Sequence, residues 1–524
     1  MSVMLDINEA AEWAKDFIKK DVTSTNISYL IQYGKIKKHN SNGKTLVNLD
    51  ELKAYYKEYF KNLKDTYESN FGKDINWALS FSSIKEKETT KHVHRLHPYK
   101  GKFIPQLVEY FLDSHTDNFK KEVYFRAGDI VLDLFAGSGT TLVQASELGI
   151  HSIGLDISYF NCLISEVKMQ EYNLKALNET CQEISGIIQM EHKRSGISAF
   201  EKELDEILYN VNREYFPSDY KYNLTRGLIK EEEIISKAVK KANSEYGKLL
   251  KKHNSPMKGS ITGSDFLDTW FAIPVIHQAL LAKEFLEKID SEKNRKLITV
   301  MLSRSIRSCR VTPHYQLELL DNPVYGPYYC FKHKKICRPI LSMVKMFSKY
   351  AQDTISRLAE FSAVKRNTRF AVIDRDSREL NIFEEIKKRD QEFYTLLTKQ
   401  RIKGIFSSPP YVGQLDYHAQ HEYAYELFGL ARRDDQEIGK SSHGKGVGAR
   451  QDYVDGISNV LINCKQFLAD DFHIFIVAND QYGLYPQIAE RSGLRIIKEF
   501  KRPVLNRASR DRNPYSESIF HMVN

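Results

Sequence analysis

Cysteine is scarce in this chain: six residues in 524, never spaced as Cys-x-x-Cys. That excludes a disulfide framework and points to free thiols in a reducing compartment. No apolar run approaches the ~20 residues needed to cross a bilayer, and no cleavable leader is visible, so a cytoplasmic location is expected. Neither sign of charge dominates. The 77 basic and 68 acidic residues leave a net charge of +9, which favours a polyanionic partner without requiring one. No acid with a downstream Glu-x-Lys marks a separate nuclease domain. What remains is a long chain, 42% hydrophobic, able to bury several cores in two to four domains.

Two strings carry chemistry. Residues 130–141 read Ile-Val-Leu-Asp-Leu-Phe-Ala-Gly-Ser-Gly-Thr-Thr, followed by a helix-like apolar stretch and then Ile153-Gly-Leu-Asp156. An apolar strand, a Gly-x-Gly turn, a helix and a second strand ending in an acid form a β-α-β unit of nucleotide-binding type. Gly137 and Gly139 permit close backbone approach, and Asp156 suits a ribose diol. Leu142 replaces the third glycine of a dinucleotide fingerprint, and the turn lacks the Gly-Lys-Ser/Thr ending of an ATP loop. Asp133 either caps the turn or touches the ligand. The second string is Ser408-Pro409-Pro410-Tyr411 at the end of an apolar strand. Its two prolines lack amide donors and stiffen the backbone, so the turn offers carbonyl oxygens and the Ser408 hydroxyl to an amine-bearing ring, with Tyr411 as a stacking face.

Together, Phe135-Ala136-Gly137-Ser138-Gly139 and the Ser-Pro-Pro-Tyr tetrad resemble the S-adenosylmethionine-dependent DNA amino-methyltransferases, and the serine form of the tetrad resembles their cytosine-N4 group. The resemblance covers about residues 92–175 and 366–524 and implies a doubly wound, Rossmann-like α/β core. It adds Thr140, Thr141 and Ile157 to the expected cofactor contacts. Tyr99, Lys102 and Phe103, in the segment His97 to Pro105, are similar to the stretch beside the methionine end of the cofactor; Lys102 either positions phosphate or lies on a basic surface. Asp376 and Ser377, in Val372 to Arg378, are similar to the strand end beside the adenine, where Asp374 is the competing acid. The implied reaction is methylation of the exocyclic amine of a base flipped out of duplex DNA, with adenine N6 as the alternative target and a non-catalytic DNA-binding regulator as another. The implied setting is a stand-alone modification enzyme of a restriction-modification system, its endonuclease acting separately, in the cytoplasm or at the nucleoid.

The remaining segments read as accessory. Residues 1–60 resemble a small winged helix-turn-helix of the excisionase type, with a Ser-Asn-Gly turn in its wing; the resemblance places Ser24, Thr25, Asn26 and Ser28 toward the major groove and Lys37, Lys38 and Lys44 near phosphate. Residues 61–91 read as a helical connector, 92–164 and 366–524 as the two parts of the methyltransferase core, and 165–365 as a mostly helical insertion, the natural place for target recognition. There Arg304, Arg307 and Arg310 recur at a spacing of three, fitting either a DNA-reading face or a solvated one. Cys330, His333 and Cys337 lie close in sequence, but no fourth ligand is evident and no metal is expected. Asp416 or Tyr417 is placed to shape a base pocket, and Gly439 to Gly448 reads as a lid anchored by Arg450 and Tyr453. Arg502, Arg507, Arg510 and Arg512 supply further cations.

Overall fold

The computed structural model describes residues 3–18, 20–41, 44–226, 228–314, 316, 322–505 and 513–524. At the N-terminus, β1 (Met4–Asp6), β2 (His39–Ser41) and β3 (Lys44–Asn48) form an antiparallel sheet in the order β1-β3-β2, accompanied by helices Ile7–Ile18, Ser24–Gln32 and Leu49–Phe71. The helix starts are written in the sequence. Thr23 caps the second helix through a reciprocal box with Asn26, and Asn48 accepts from the backbone N–H groups of Asp50 and Glu51 to open the third. Ala10, Ala14, Ile27, Val47 and Leu52 make a small separate core. The third helix runs on to Phe71, past the expected boundary at residue 60. The Ser-Asn-Gly turn lies partly outside the described residues.

The main sheet has seven strands. In chain order the later strands are β4 (Ile130–Asp133), β5 (His151–Leu155), the short hairpin β6 (Tyr328–Cys330) and β7 (Lys335–Cys337), then β8 (Phe370–Ile373), β9 (Ile402–Ser407), β10 (Leu468–Ala478), β11 (Arg495–Pro503) and β12 (Ser516–Val523). The sheet order is β11-β12-β10-β9-β4-β5-β8, parallel from β10 through β8, with β12 antiparallel to both its neighbours. This is a mixed α/β, Rossmann-like sheet. Its central strands are apolar on both faces because both are covered. Ile130 and Leu132 of β4, Ile405 of β9 and Ile474 of β10 pack with Ile457 and Val460 of the helix Val447–Lys465. Their alternates Val131, Phe406 and Phe475 pack with Leu107 and Phe111 of the helix Pro105–Leu112. Each such side chain stabilises by ~1.5–3 kcal/mol on burial. Gly404 is required where β9 meets β10: a Cβ there would overlap the His473 carbonyl oxygen.

Between β5 and β8 the chain is mostly helical, with long helices at Leu174–Arg194, Ile197–Tyr215, Glu231–His253, Ile273–Leu286, Glu292–Arg307 and Val344–Ser362. Their core, which includes Leu177, Phe200, Val275, Met301 and Phe347, is continuous with Phe160 and Leu163 behind β5 and with Tyr423 and Tyr425. This helical stretch is therefore packed onto the sheet domain. Among the described residues, no helix is long and apolar enough to cross a membrane.

Candidate active site

The strand order reverses between β4 and β9. In an open parallel sheet the two loops that leave such a point diverge to opposite faces, opening a crevice at the strands' carboxyl ends. β4 delivers the glycine turn to that crevice and β9 delivers the Ser-Pro-Pro-Tyr tetrad. A buried tie joins them: the Ser407 hydroxyl donates to Asp133 Oδ1 at 2.6 Å and accepts from the backbone N–H of Phe135 at 3.2 Å. Gly137 and Gly139 sit at φ of 50° and 74°, the left-handed region that glycine enters without steric cost. A Cβ at Gly139 would lie 2.9 Å from Ser165, and one at Gly137 would lie 2.7 Å from the Tyr99 hydroxyl.

The crevice is an open cleft at the strands' carboxyl ends. It brings together most of the residues singled out in the sequence: Tyr99, Lys102 and Phe103 on one wall; Phe135, Ala136, Gly137, Ser138 and Thr140 on the floor; Asp156 and Ile157 after β5; Asp376 and Ser377 after β8; and Ser408 and Pro410 after β9. The Gly137 N–H, the Ser158 N–H and the Asn161 amide all donate to the Asp156 carboxylate, at 2.8, 2.9 and 3.1 Å. A carboxylate has about four acceptor positions, so one remains for a hydroxyl. Burial raises the pKa of Asp156 against these hydrogen bonds. For Asp376 burial also acts upward, but the paired Arg378 guanidinium outweighs it and holds the carboxyl below its usual range. The Ser138 hydroxyl is buried in the floor with no partner among the described residues. An orphaned donor, a glycine cradle that a Cβ would fill and a residual carboxylate acceptor fit a polar, ribose-bearing ligand flanked by the apolar Ile157, Ile438 and Val460.

Other expected contacts fall elsewhere. Asp133 does not line the cleft. It is 1% exposed and serves the Ser407 tie, with burial pushing its pKa up to about 6. Gly139 packs on Ser165, and the Thr141 hydroxyl donates to the Phe406 carbonyl at 3.4 Å, so both act behind the floor. Pro409 is buried outside the lining. Tyr411 packs its ring against the sheet core and donates its hydroxyl to Glu517 at 3.1 Å. Lys102, though on the cleft wall, donates its ammonium hydrogen to the His94 carbonyl at 2.7 Å, and burial lowers its pKa to about 8. Asp374 pairs with Arg375, Arg389 and Arg433, outside the lining.

Two members of the arginine triplet are buried rather than on a solvated face. Arg304 is 8% exposed, bonded to Asp353 at 2.6 Å and stacked over Tyr350; Arg310 is 5% exposed, beyond the helix end and 4.7 Å over the Tyr423 ring. A spacing of three could not show that the helix faces its neighbours there. Arg307 and the ion-paired Arg304 both line a cleft with Arg95, Lys100, Lys349 and Arg357, next to Tyr99 and Lys102. Arg450 donates to the Lys445 carbonyl and stacks 3.8 Å over Tyr482. Tyr453 is buried and its hydroxyl bonds that of Tyr485 at 2.9 Å. Arg502 pairs with Glu517, and Arg507, Arg510 and Arg512 lie outside the described residues. In the N-terminal unit Thr25, Asn26, Ser28, Lys37, Lys38 and Lys44 are exposed and Ser24 half-buried; the Asn26 carbonyl accepts from the Thr23 N–H, and the Ser28 hydroxyl donates to the Ser24 carbonyl.

Sequence reasoning missed one wall of the cleft. The buried Glu437 accepts from the backbone N–H groups of Tyr417 and His418 at 3.1 and 2.8 Å and contacts the His418 ring, holding Tyr417 and Gln436 at the rim. Tyr417 stacks near Tyr99, ring centroids 6.4 Å apart. Partners 19 residues apart leave no periodic signal. Asp416, at the rim's outer side, accepts from Ser441 at 2.6 Å.

A DNA methylase family model matches residues 7–166. The chain is 43% identical over 519 residues to the type II methyltransferase M.MjaII of Methanocaldococcus jannaschii, covering 98% of this chain and 96% of that one. Shorter similarities link it to type II methyltransferases M.BsoBI of Geobacillus stearothermophilus, 35% identical over 146 residues (26% and 27% of the two chains), and M.MvaI of Kocuria varians, 35% over 95 residues (18% and 19%). The near full-length relative, 43% identical, makes this protein, whose parallel sheet sets a glycine turn beside a Ser-Pro-Pro-Tyr tetrad, a member of the type II DNA methyltransferase family.

Proposed function

We propose that the protein transfers a methyl group from S-adenosylmethionine to the exocyclic N4 amine of a flipped cytosine in duplex DNA, as the modification enzyme of a restriction-modification system. The observation that carries this reading is the position of Ser408 and Pro410 on the wall of the cleft that Gly137 and Asp156 floor. S-adenosylmethionine supplies an electrophilic methyl on a sulfonium. The residual acceptor of Asp156 suits its ribose, the Ser138 hydroxyl and the glycine-turn amides its amino-acid end, and Asp376 its adenine amine.

An exocyclic amine is a weak nucleophile because its lone pair is delocalised into the ring. The Ser408 hydroxyl, on the cleft wall, is suited to accept one of its hydrogens, favouring the rehybridised nitrogen more than the planar one and so acting chiefly in the transition state. The rest of the acceleration is positioning. Flipping the base costs about a few kcal/mol of stacking and pairing. Tyr417 and Tyr99 are better placed than Tyr411 to recover part of it, since both line the cleft. The N-terminal unit is read as a winged helix-turn-helix, with Lys37, Lys38 and Lys44 toward phosphate, and the helical insertion as the target-recognition region.

The second reading is adenine N6 methylation, because the amine chemistry is shared and only the serine of the tetrad favours cytosine. Mixed-sequence duplex DNA incubated with labelled S-adenosylmethionine and digested to nucleosides separates the two. Labelled N4-methylcytosine is expected; labelled N6-methyladenine would overturn the base assignment. No label, together with no cofactor binding, would move the reading to a DNA-binding regulator.

A further inference from the structure

The hairpin of β6 and β7 lies inside the helical insertion, remote in sequence from both catalytic strings, and each of its strands ends in a cysteine. The strands are three residues long and pair Tyr328 with Cys337 and Cys330 with Lys335. A two-stranded ribbon this short is marginal in water without a further clamp. Its turn is wound tightly around Cys330. The Lys334 N–H donates to the Cys330 carbonyl at 2.7 Å, Lys334 adopts a φ of 54°, and the His333 N–H points at the Cys330 sulfur at 3.3 Å. His314 arrives from the segment after the helix Glu292–Arg307, and its Nε2 lies 3.2 Å from Cys330 Sγ. Opposite, Cys337 Sγ lies 3.5 Å from His333 Nδ1.

We propose that His314, Cys330, His333 and Cys337 form a structural zinc site. One donor atom from each residue lies within 4.8 Å of every other. With zinc–sulfur bonds of about 2.3 Å and zinc–nitrogen bonds of about 2.0–2.1 Å, a tetrahedral site has donor–donor edges of roughly 3.3–3.8 Å, and the two sulfur–nitrogen edges above fall close to that range. The Tyr328 hydroxyl bonds His314 Nδ1 at 2.8 Å, leaving Nε2 as the atom turned toward the sulfurs, the outer-shell arrangement that orients a ligating imidazole. Two thiolates with two imidazoles select zinc over hard cations such as magnesium or calcium. Four protein ligands fill a tetrahedron, so the metal is a clamp with no open position for a water or a substrate.

The clamp has a definite load. The Asn212 side chain donates to the Ile336 carbonyl at 2.9 Å and accepts from its N–H at 2.7 Å, and the Tyr329 hydroxyl donates to Glu231 at 2.9 Å, so the hairpin already rests on the helices Ile197–Tyr215 and Glu231–His253. Metal bound there ties the segment that follows a third helix, Glu292–Arg307, through His314, to the same pair. The sequence offered only Cys330-x-x-His333-x-x-x-Cys337; the fourth ligand stands 16 residues upstream of Cys330.

The test uses the full-length protein, purified under reducing conditions without a metal-affinity step, and elemental analysis by mass spectrometry. About one zinc per chain is expected in the wild type, and about fivefold less or lower in Cys337→Ser and in His333→Ala, whose ligand is exposed and whose loss leaves the hydrophobic core intact. Far-ultraviolet circular dichroism checks that each variant remains folded. Cobalt(II) added to chelator-treated wild type should give tetrahedral thiolate–cobalt absorption bands that Cys337→Ser lacks, a readout that does not depend on how either variant folds under growth conditions. Folded wild-type protein that neither carries zinc nor takes up added zinc or cobalt would overturn the proposal. So would unchanged zinc in both variants, or a Cys330–Cys337 disulfide in protein prepared without air.

Discussion

Replacing Asp133 by asparagine should stabilise the protein at neutral pH and leave it unchanged in acid. Asp133 is almost wholly buried, and that burial lifts its pKa from 3.8 to about 6, the hydrogen bonds from Ser407 and the Phe135 N–H offsetting only part of the cost. The folded state therefore binds the proton more tightly than the unfolded one. Its contribution is fully present below the unfolded pKa and is lost as pH rises from about 4 through about 6. A gap of about two pH units, at 1.36 kcal/mol each, is ~3 kcal/mol. Asparagine keeps an Oδ1 acceptor for Ser407 and Phe135 and has no proton to lose. Thermal unfolding of both proteins without cofactor, from pH 4.5 to 8, gives the difference in midpoint at each pH; taking the difference cancels acids common to both and suits a chain that need not unfold in one step. With an unfolding entropy of about 2.1 cal/mol/K per residue over 524 residues, each kcal/mol moves the midpoint by roughly 1 °C, so the variant should gain roughly 3 °C above pH 7, with the gap closing toward pH 4.5. A gap constant with pH, or a variant less stable at pH 7.5, would refute the reading of Asp133 as a buried tie.

Ser408→Ala should lower kcat by about 10²-fold with little change in cofactor KM, since the hydroxyl is assigned to the reacting amine; steady-state kinetics on methylatable DNA measures both. Gly137→Ala should weaken cofactor binding by roughly tenfold or more in calorimetric titration, because its Cβ would sit 2.7 Å from the Tyr99 hydroxyl and the left-handed backbone costs ~1–2 kcal/mol for alanine. Changing Lys37, Lys38 and Lys44 together to alanine should reduce the slope of log K against log salt for DNA binding by up to about 2.7, at ~0.9 per phosphate contact; an unchanged slope removes the N-terminal unit from the interface. Arg310→Ala should cost about 1–3 kcal/mol of stability through lost packing on Tyr423 while leaving that slope alone.

What was legible in the sequence was what the backbone dictates locally. The Gly137–Gly139 turn, the strands on either side of it and the proline-stiffened end of β9 each announce themselves within a dozen residues, and the parallel-sheet rule then brings β4 and β9 together. Roles set by tertiary neighbours were not legible. Nothing in Arg304-x-x-Arg307-x-x-Arg310 distinguishes a solvated face from one in which Asp353 and Tyr423 hold the first and last inside. The sequence left Asp133 open between capping the glycine turn and touching the ligand; only the fold shows its side chain turned to Ser407 and the Phe135 N–H. Glu437 and His418 meet only because two rim loops are folded against each other.

The Asp133–Ser407 tie closes a stretch of 274 residues. Closing a flexible loop of that length costs about 5 kcal/mol in chain entropy, far more than one hydrogen bond returns, so β9 can add to β4 efficiently only after the intervening helices have condensed and shortened the path. At ribosomal speeds of about 5–20 residues per second, β4 and β5 wait roughly 14–55 s for their central neighbour to be made, with a sheet edge open to the wrong partner. Methylation competence therefore arrives late and all at once during synthesis. A chain cut within a loop of the insertion, each half retaining one catalytic string, should regain activity only when the two pieces are folded together.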